Sequence, residues 1–125
     1  MCFVYIIKAG MAKKSPIKIG VANSPERRLR QMQTGNHVEL FLLYKIPMPS
    51  RAVAYRTEND LHRKLKDWRI RNEWFNGRAL KLIKVKDIIA NLEKYDVDKY
   101  YIDPTDLELV YEQYEIVSDA MKHIG

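Results

Sequence analysis

Two short apolar segments at the start of the chain, Phe3-Val4-Tyr5-Ile6-Ile7 and Ile17-Lys18-Ile19-Gly20, constrain the fold more than any other feature. Successive side chains of a strand point to opposite faces. Pairing the segments as a hairpin gives Val4, Ile6, Ile17 and Ile19 one buried face and leaves Tyr5 and Lys18 as cross-strand neighbours on the other. Arg28 follows eight residues after Gly20. A tyrosine, a lysine and a helical arginine on one side of a small sheet suit a phosphate group.

The spacing beyond the hairpin predicts further elements. Ser24 and Pro25 read as the N-cap and first residue of a helix, and Gly35 as its stop. Val38 to Ile46 is a near-continuous apolar run ended by Pro47 and Pro49, which reads as a central, well-buried strand. Ser50 caps a second helix ending near Asp67. Glu73-Trp74-Phe75 reads as a short strand or anchor before an Asn76-Gly77 turn. Helical spacing predicts a helix over Ala79–Tyr95, and Asp103-Pro104 opens a last one with the stripe Leu107, Val110, Tyr111, Tyr114, Val117 and Met121. The order implies an α+β fold: a small, mainly antiparallel sheet flanked by helices, with a helical C-terminal extension.

Charge divides the chain. Residues 1–84 hold 18 Lys and Arg against 6 Asp and Glu, and residues 85–125 hold 4 against 10. The first block, at +12, has the footprint of a nucleic-acid binder, the competing reading being a solvated basic surface. We therefore expect a basic domain over 1–84 and an acidic helical extension over 85–125 packed on it. No apolar run is long enough to span a bilayer, and Met1-Cys2-Phe3 enters a strand directly without a signal peptide. One cysteine, Cys2, excludes an internal disulfide and a cysteine zinc site. These features fit a cytoplasmic protein with no membrane partner.

Two positions ask for a chemical reason. Arg27 and Arg28 fall in the first turn of a helix, where cations are mildly disfavoured but where backbone N–H groups and a guanidinium together make an anion site. Glu58 falls on an apolar stripe with Ala54, Leu61 and Leu65, and His62 follows one turn later. A carboxylate there is costly unless it is paired with Arg28 or Lys18, or holds a metal. HExxH spacing is absent, but one carboxylate suffices for a water-rich Mg²⁺ or Mn²⁺. His37 and His123 read as surface residues, and Trp68, Trp74 and Phe75 as core anchors. The chain has no P-loop and no dinucleotide fingerprint.

Taken together, Val4-Tyr5-Ile6-Ile7, Lys18-Ile19-Gly20, Arg28, Glu58-Asn59-Asp60-Leu61-His62 and Glu73-Trp74-Phe75 resemble the GIY-YIG nuclease superfamily. The similarity is greatest to its divergent, phage-associated branch and covers residues 2–77. The resemblance implies a three-stranded antiparallel sheet and metal-dependent hydrolysis of DNA phosphodiesters. It gives Tyr5 and Lys18 the places of the two motif tyrosines, Arg28 that of the catalytic arginine and Glu58 that of the metal ligand. His62 is then a replacement proton carrier. Arg27, Arg28, Arg30, Lys64, Arg69 and Arg71 are candidate DNA contacts, and a homodimer through the last helix is open. The chain departs from the family at Phe3, Lys18 and Met32, where the family has glycine, tyrosine and often histidine, and Asn76 is a candidate for the asparagine that some members have near the end. The expected function is a DNA endonuclease. The alternatives are a nucleic-acid-binding module that no longer cuts and a domain that binds an acidic protein partner.

Overall fold

Strand β1 (Cys2–Ala9) pairs antiparallel with β2 (Ile17–Ala22), and alternation along them builds two separate apolar faces. Val4, Ile6, Ile17 and Ile19 are fully buried on one face, as their spacing predicts. Tyr5 and Ile7 are buried on the other. The structure, a computed structural model, describes residues 1–124, with side chains as far as Tyr114. His123, Val117 and Met121 of the expected pattern lie outside the described side chains.

Helix α1 (Pro25–Gln33) begins as its sequence predicts, with the Arg27 N–H donating to Ser24 Oγ at 3.3 Å and proline in the first turn. Gly35, at φ +80°, takes the left-handed conformation that ends it. Leu29 and Met32 of α1 cover the Tyr5 face. Helix α2 (Arg51–Lys64) covers the opposite face through Val53, Ala54 and Leu61. It stops short of Asp67, giving way to a single 3₁₀ turn at Lys66–Trp68.

Strand β3 (Leu40–Met48) differs from expectation. It lies at the edge of the sheet, beside β1, and not at its centre. A bulge where Ile6 pairs with Tyr44 and Ile7 with Leu42 leaves Leu43 extra and reverses the alternation. Leu40 and Leu42 therefore face α1, while Tyr44, Ile46 and Met48 face the α2 core. A continuous apolar run here reflects one strand serving both faces in turn. Pro47 lies inside the strand, which an edge position tolerates.

Two short strands, β4 (Arg69–Arg71) and β5 (Trp74–Phe75), extend the expected three-stranded sheet to five in the order β3-β1-β2-β5-β4. The helix expected over Ala79–Tyr95 is broken. Only α3 (Val85–Asn91) is α-helical, between 3₁₀ segments at Gly77–Leu82 and Leu92–Lys94. Ile83 is extended and Lys84 supplies no side-chain cap, so the pattern does not propagate as one helix.

Helix α4 (Pro104–Ile124) starts at the expected Asp103-Pro104, with Asp103 Oδ1 accepting the Thr105 N–H. Val110 and Ile102 join the same core as Val4 and Ile6. Leu107, Tyr111 and Tyr114 pack against it. No described helix is long and apolar enough to cross a membrane. The architecture is α+β, an antiparallel sheet flanked by helices and carrying a C-terminal helix.

Candidate active site

The site begins with the pairing of Tyr5 and Gly20 across the β1–β2 ladder. Tyr5 is 2% exposed. A Cβ on Gly20 would stand 2.6 Å from the ring's Cζ and 2.9 Å from Cε2, so only glycine leaves room for the ring to lie across the strand. Lys18 shares this face but pairs directly with Ile7. Tyr5 and Lys18 are thus diagonal neighbours and not direct partners, a separation still within reach of long side chains.

Arg28 comes from α1, on the same side, and its guanidinium lies near enough to the Tyr5 hydroxyl to favour the ionised phenol. Its exposed neighbours Arg27 and Arg30 extend a basic helix face. Met32, one turn on from Arg28, turns inward to the apolar cluster of Tyr5, Ile7 and Leu40.

Glu58 and His62 reach the site from the opposite layer. Strand β5 pairs only with Ile17 and Lys18, and beyond Ile19, whose N–H the Glu73 carbonyl takes, no strand covers this edge of β2. His62 of α2 comes to that edge, its Nε2 3.1 Å from the Ile19 carbonyl oxygen. A carbonyl oxygen can only accept, so Nε2 carries the proton and is engaged as a donor. The ring also rests against Phe75, centroids 5.3 Å apart. His62 therefore braces α2 on the sheet through its Nε2. Glu58, one turn earlier, has a side chain 13% exposed and 4.0 Å from His62 Nε2. The structural ion pairs weighed for it, with Arg28 or Lys18, are not formed among the described residues. Lys18 instead meets Glu73 Oε2 at 3.6 Å.

Glu73 is the member that sequence reasoning missed, although it stands in the Glu-Trp-Phe segment. Its carbonyl accepts the Ile19 N–H at 3.3 Å, fixing the β4–β5 turn against β2. No spacing along the chain signals that contact.

The charges explain each other. Burial pushes the Glu58 carboxyl above its usual range, Glu73 adds to the rise, and His62 and Lys18 oppose it. Burial likewise pushes the Tyr5 phenol up; the Arg28 guanidinium opposes this, while Glu73 and Glu58 reinforce it. The cation that counters burial at Tyr5 is Arg28. Five groups from five separate segments thus converge on the open edge of β2: Tyr5, Lys18, Arg28, Glu58 and Glu73.

The remaining basic candidates lie around this notch and not in it. Lys64 is exposed at the end of α2, and Arg69 and Arg71 are exposed on the outermost strand. Arg69 borders a depression of about 420 Å³ with Asn59, His62, Arg63 and Lys66. His37 is exposed, as expected, and Asn76 spends its Oδ1 accepting the Arg78 N–H. Among the described residues no group of three or more His, Cys, Asp and Glu is placed to hold a metal ion.

These features define a small α+β protein with a polar notch where two helix layers meet an open strand edge. Residues 2–93 match the T5orf172 domain, and the chain belongs to that family. The match runs past residue 84 to take in α3. No curated protein and no solved structure matches the chain.

Proposed function

We propose that this chain is a divalent-metal-dependent DNA endonuclease of the GIY-YIG type. The observation that carries the reading is the enclosed carboxylate of Glu58, which α2 brings beside His62 at the Ile19 carbonyl, one residue from the Gly20 that pairs with Tyr5. The T5orf172 domain is phage-associated and compatible with nuclease-like or nucleic-acid-binding activity, which supports it further. In this reading residues 1–84 carry the chemistry, 85–125 cover the sheet, and the protein works in the cytoplasm.

The residues fit a metal. Glu58 is largely enclosed, its carboxyl is held above its usual range, and no lysine or arginine pairs with it among the described residues. A cation beside it would relieve that burden, and a single protein carboxylate is enough for Mg²⁺ or Mn²⁺ with bound water. The ion would supply Lewis-acid activation of the phosphodiester and of its leaving oxygen. Arg28 presents a guanidinium fork to the charge that develops on the phosphate oxygens. Lys18 holds the scissile phosphate from the sheet side. Tyr5, its phenol pushed up by burial, keeps its proton at neutral pH. It therefore orients the attacking water through its hydroxyl and is not a ready base.

The second reading, a module that binds nucleic acid without cutting it, is favoured by the apolar packing of Met32 and by the donor contact at His62 Nε2. Incubating supercoiled plasmid with Mg²⁺ or Mn²⁺, with and without EDTA, separates the two. The nuclease reading expects cutting only with metal. Salt-sensitive binding without cutting leaves the second reading standing.

A further inference from the structure

We propose that Glu73 is a positioning residue that aims the Lys18 ammonium at a phosphate group in the notch; the proposal rests on reading the notch as a phosphate site. A lysine on a sheet face, left alone, extends its flexible stem and carries its charge into water. Lys18 does not: its side chain is 12% exposed and its Nζ lies 3.6 Å from Glu73 Oε2.

Glu73 can direct it because Glu73 is itself fixed to the strand that carries Lys18. Its carbonyl accepts from Ile19, and the next residue, Trp74, pairs with Lys18. Asn72, at φ +50°, turns the chain between β4 and β5. Phe75, wholly buried, anchors the far side of the turn against His62. The backbone that carries the carboxylate is therefore placed by strand pairing and not by a flexible loop.

The competing account is that Glu73 merely neutralises Lys18. Exposure decides between them. Glu73 is 45% exposed, so water screens its charge, while the contact still fixes the direction of the enclosed lysine. One donor of the ammonium faces Glu73, and among the described residues no other ion pair takes the rest, which leaves them for a phosphate oxygen. A lysine with its direction set can do at this position what a flexible one does poorly: meet one phosphate repeatedly in the same place.

The test is a double-mutant cycle on the binding of a short DNA duplex, in EDTA at low salt, so that it needs no cutting. Lys18→Ala is expected to weaken binding about threefold when Glu73 is present and less than about twofold in the Glu73→Gln background. Thermal melting of each variant checks the fold. If Glu73→Gln melts early, Glu73→Asp takes its place and shows the same pattern at smaller amplitude. An equal Lys18 effect in both backgrounds overturns the proposal, because the residues are then uncoupled. A larger effect without Glu73 also overturns it, since Glu73 then masks the lysine. Absence of duplex binding at low salt removes the phosphate site and the proposal with it. The expected coupling in a chain that never cuts keeps the proposal while ending the nuclease reading.

Discussion

Tyr5 and Gly20 face each other across the β1–β2 ladder, and the ring of the first occupies the space that a side chain on the second would need. The glycine of the Lys-Ile-Gly segment is therefore a packing requirement of the tyrosine.

Gly20→Ala should cost about 1–3 kcal/mol, the range for overpacking a filled site. In a Tyr5→Ala background the same change should cost much less, because the three atoms nearest the added methyl all belong to Tyr5. Urea denaturation of the single and double variants checks this. Equal costs in both backgrounds would contradict the packing account.

Glu58 gives a pH-dependent prediction. Its folded pKa is raised, so the folded state holds this proton more tightly than the unfolded state. Stability is thus lost as pH rises from the ordinary carboxylate value through the raised one, and stays lost at neutral pH. Glu58→Gln should raise the melting temperature at pH 7, with the gain fading as pH falls below the ordinary carboxylate range. Such a trade is expected of a residue kept for function. Mg²⁺ should stabilise wild type and not the variant, as melting curves with and without metal would show.

Ser50 has two partners. Its Oγ accepts the Val53 N–H at 3.2 Å, capping α2, and donates to the Tyr100 carbonyl at 2.6 Å, tying the acidic segment to the helix that carries Glu58. Ser50→Ala should destabilise the chain by about 1–2 kcal/mol, at the upper end for a lost cap. Chemical denaturation measures it; a change of a few tenths would mean that neither bond matters.

Arg69 and Arg71 stand exposed on the outermost strand. If each meets a phosphate, the double alanine variant should weaken DNA binding uniformly across sequences. It should also reduce the slope of log K against log salt by about 0.9 per lost contact. An unchanged slope would remove β4 from the interface.

The legible parts of the fold were those set by local chemistry. Ser24, Pro25 and Gly35 bound α1 because a cap, a fixed φ and a left-handed stop act within a few residues. Alternation placed Val4, Ile6, Ile17 and Ile19 on one face. Misread elements depended on partners distant in sequence. The apolar run of β3 looked central because a bulge at Leu43, visible only against β1, shares it between two faces. The periodicity from Ala79 to Tyr95 was helical in spacing but lacked a cap at Lys84. In the site, Glu58 drew notice because a carboxylate on an apolar stripe breaks a local rule. Glu73 broke none, and its tie to Lys18 exists only once β5 has docked on β2.

The central claim is that Glu58 and Arg28 meet at Tyr5 to cut DNA with a divalent metal. Nicking of supercoiled plasmid by pure wild type, Glu58→Ala and Arg28→Ala, in Mg²⁺ or Mn²⁺ and in EDTA, tests it most directly. The account predicts metal-dependent relaxation by wild type alone, with both variants folded and still binding DNA. Folded wild type that binds plasmid yet leaves it supercoiled in either metal, or a Glu58→Ala variant that cuts as well as wild type, would contradict it.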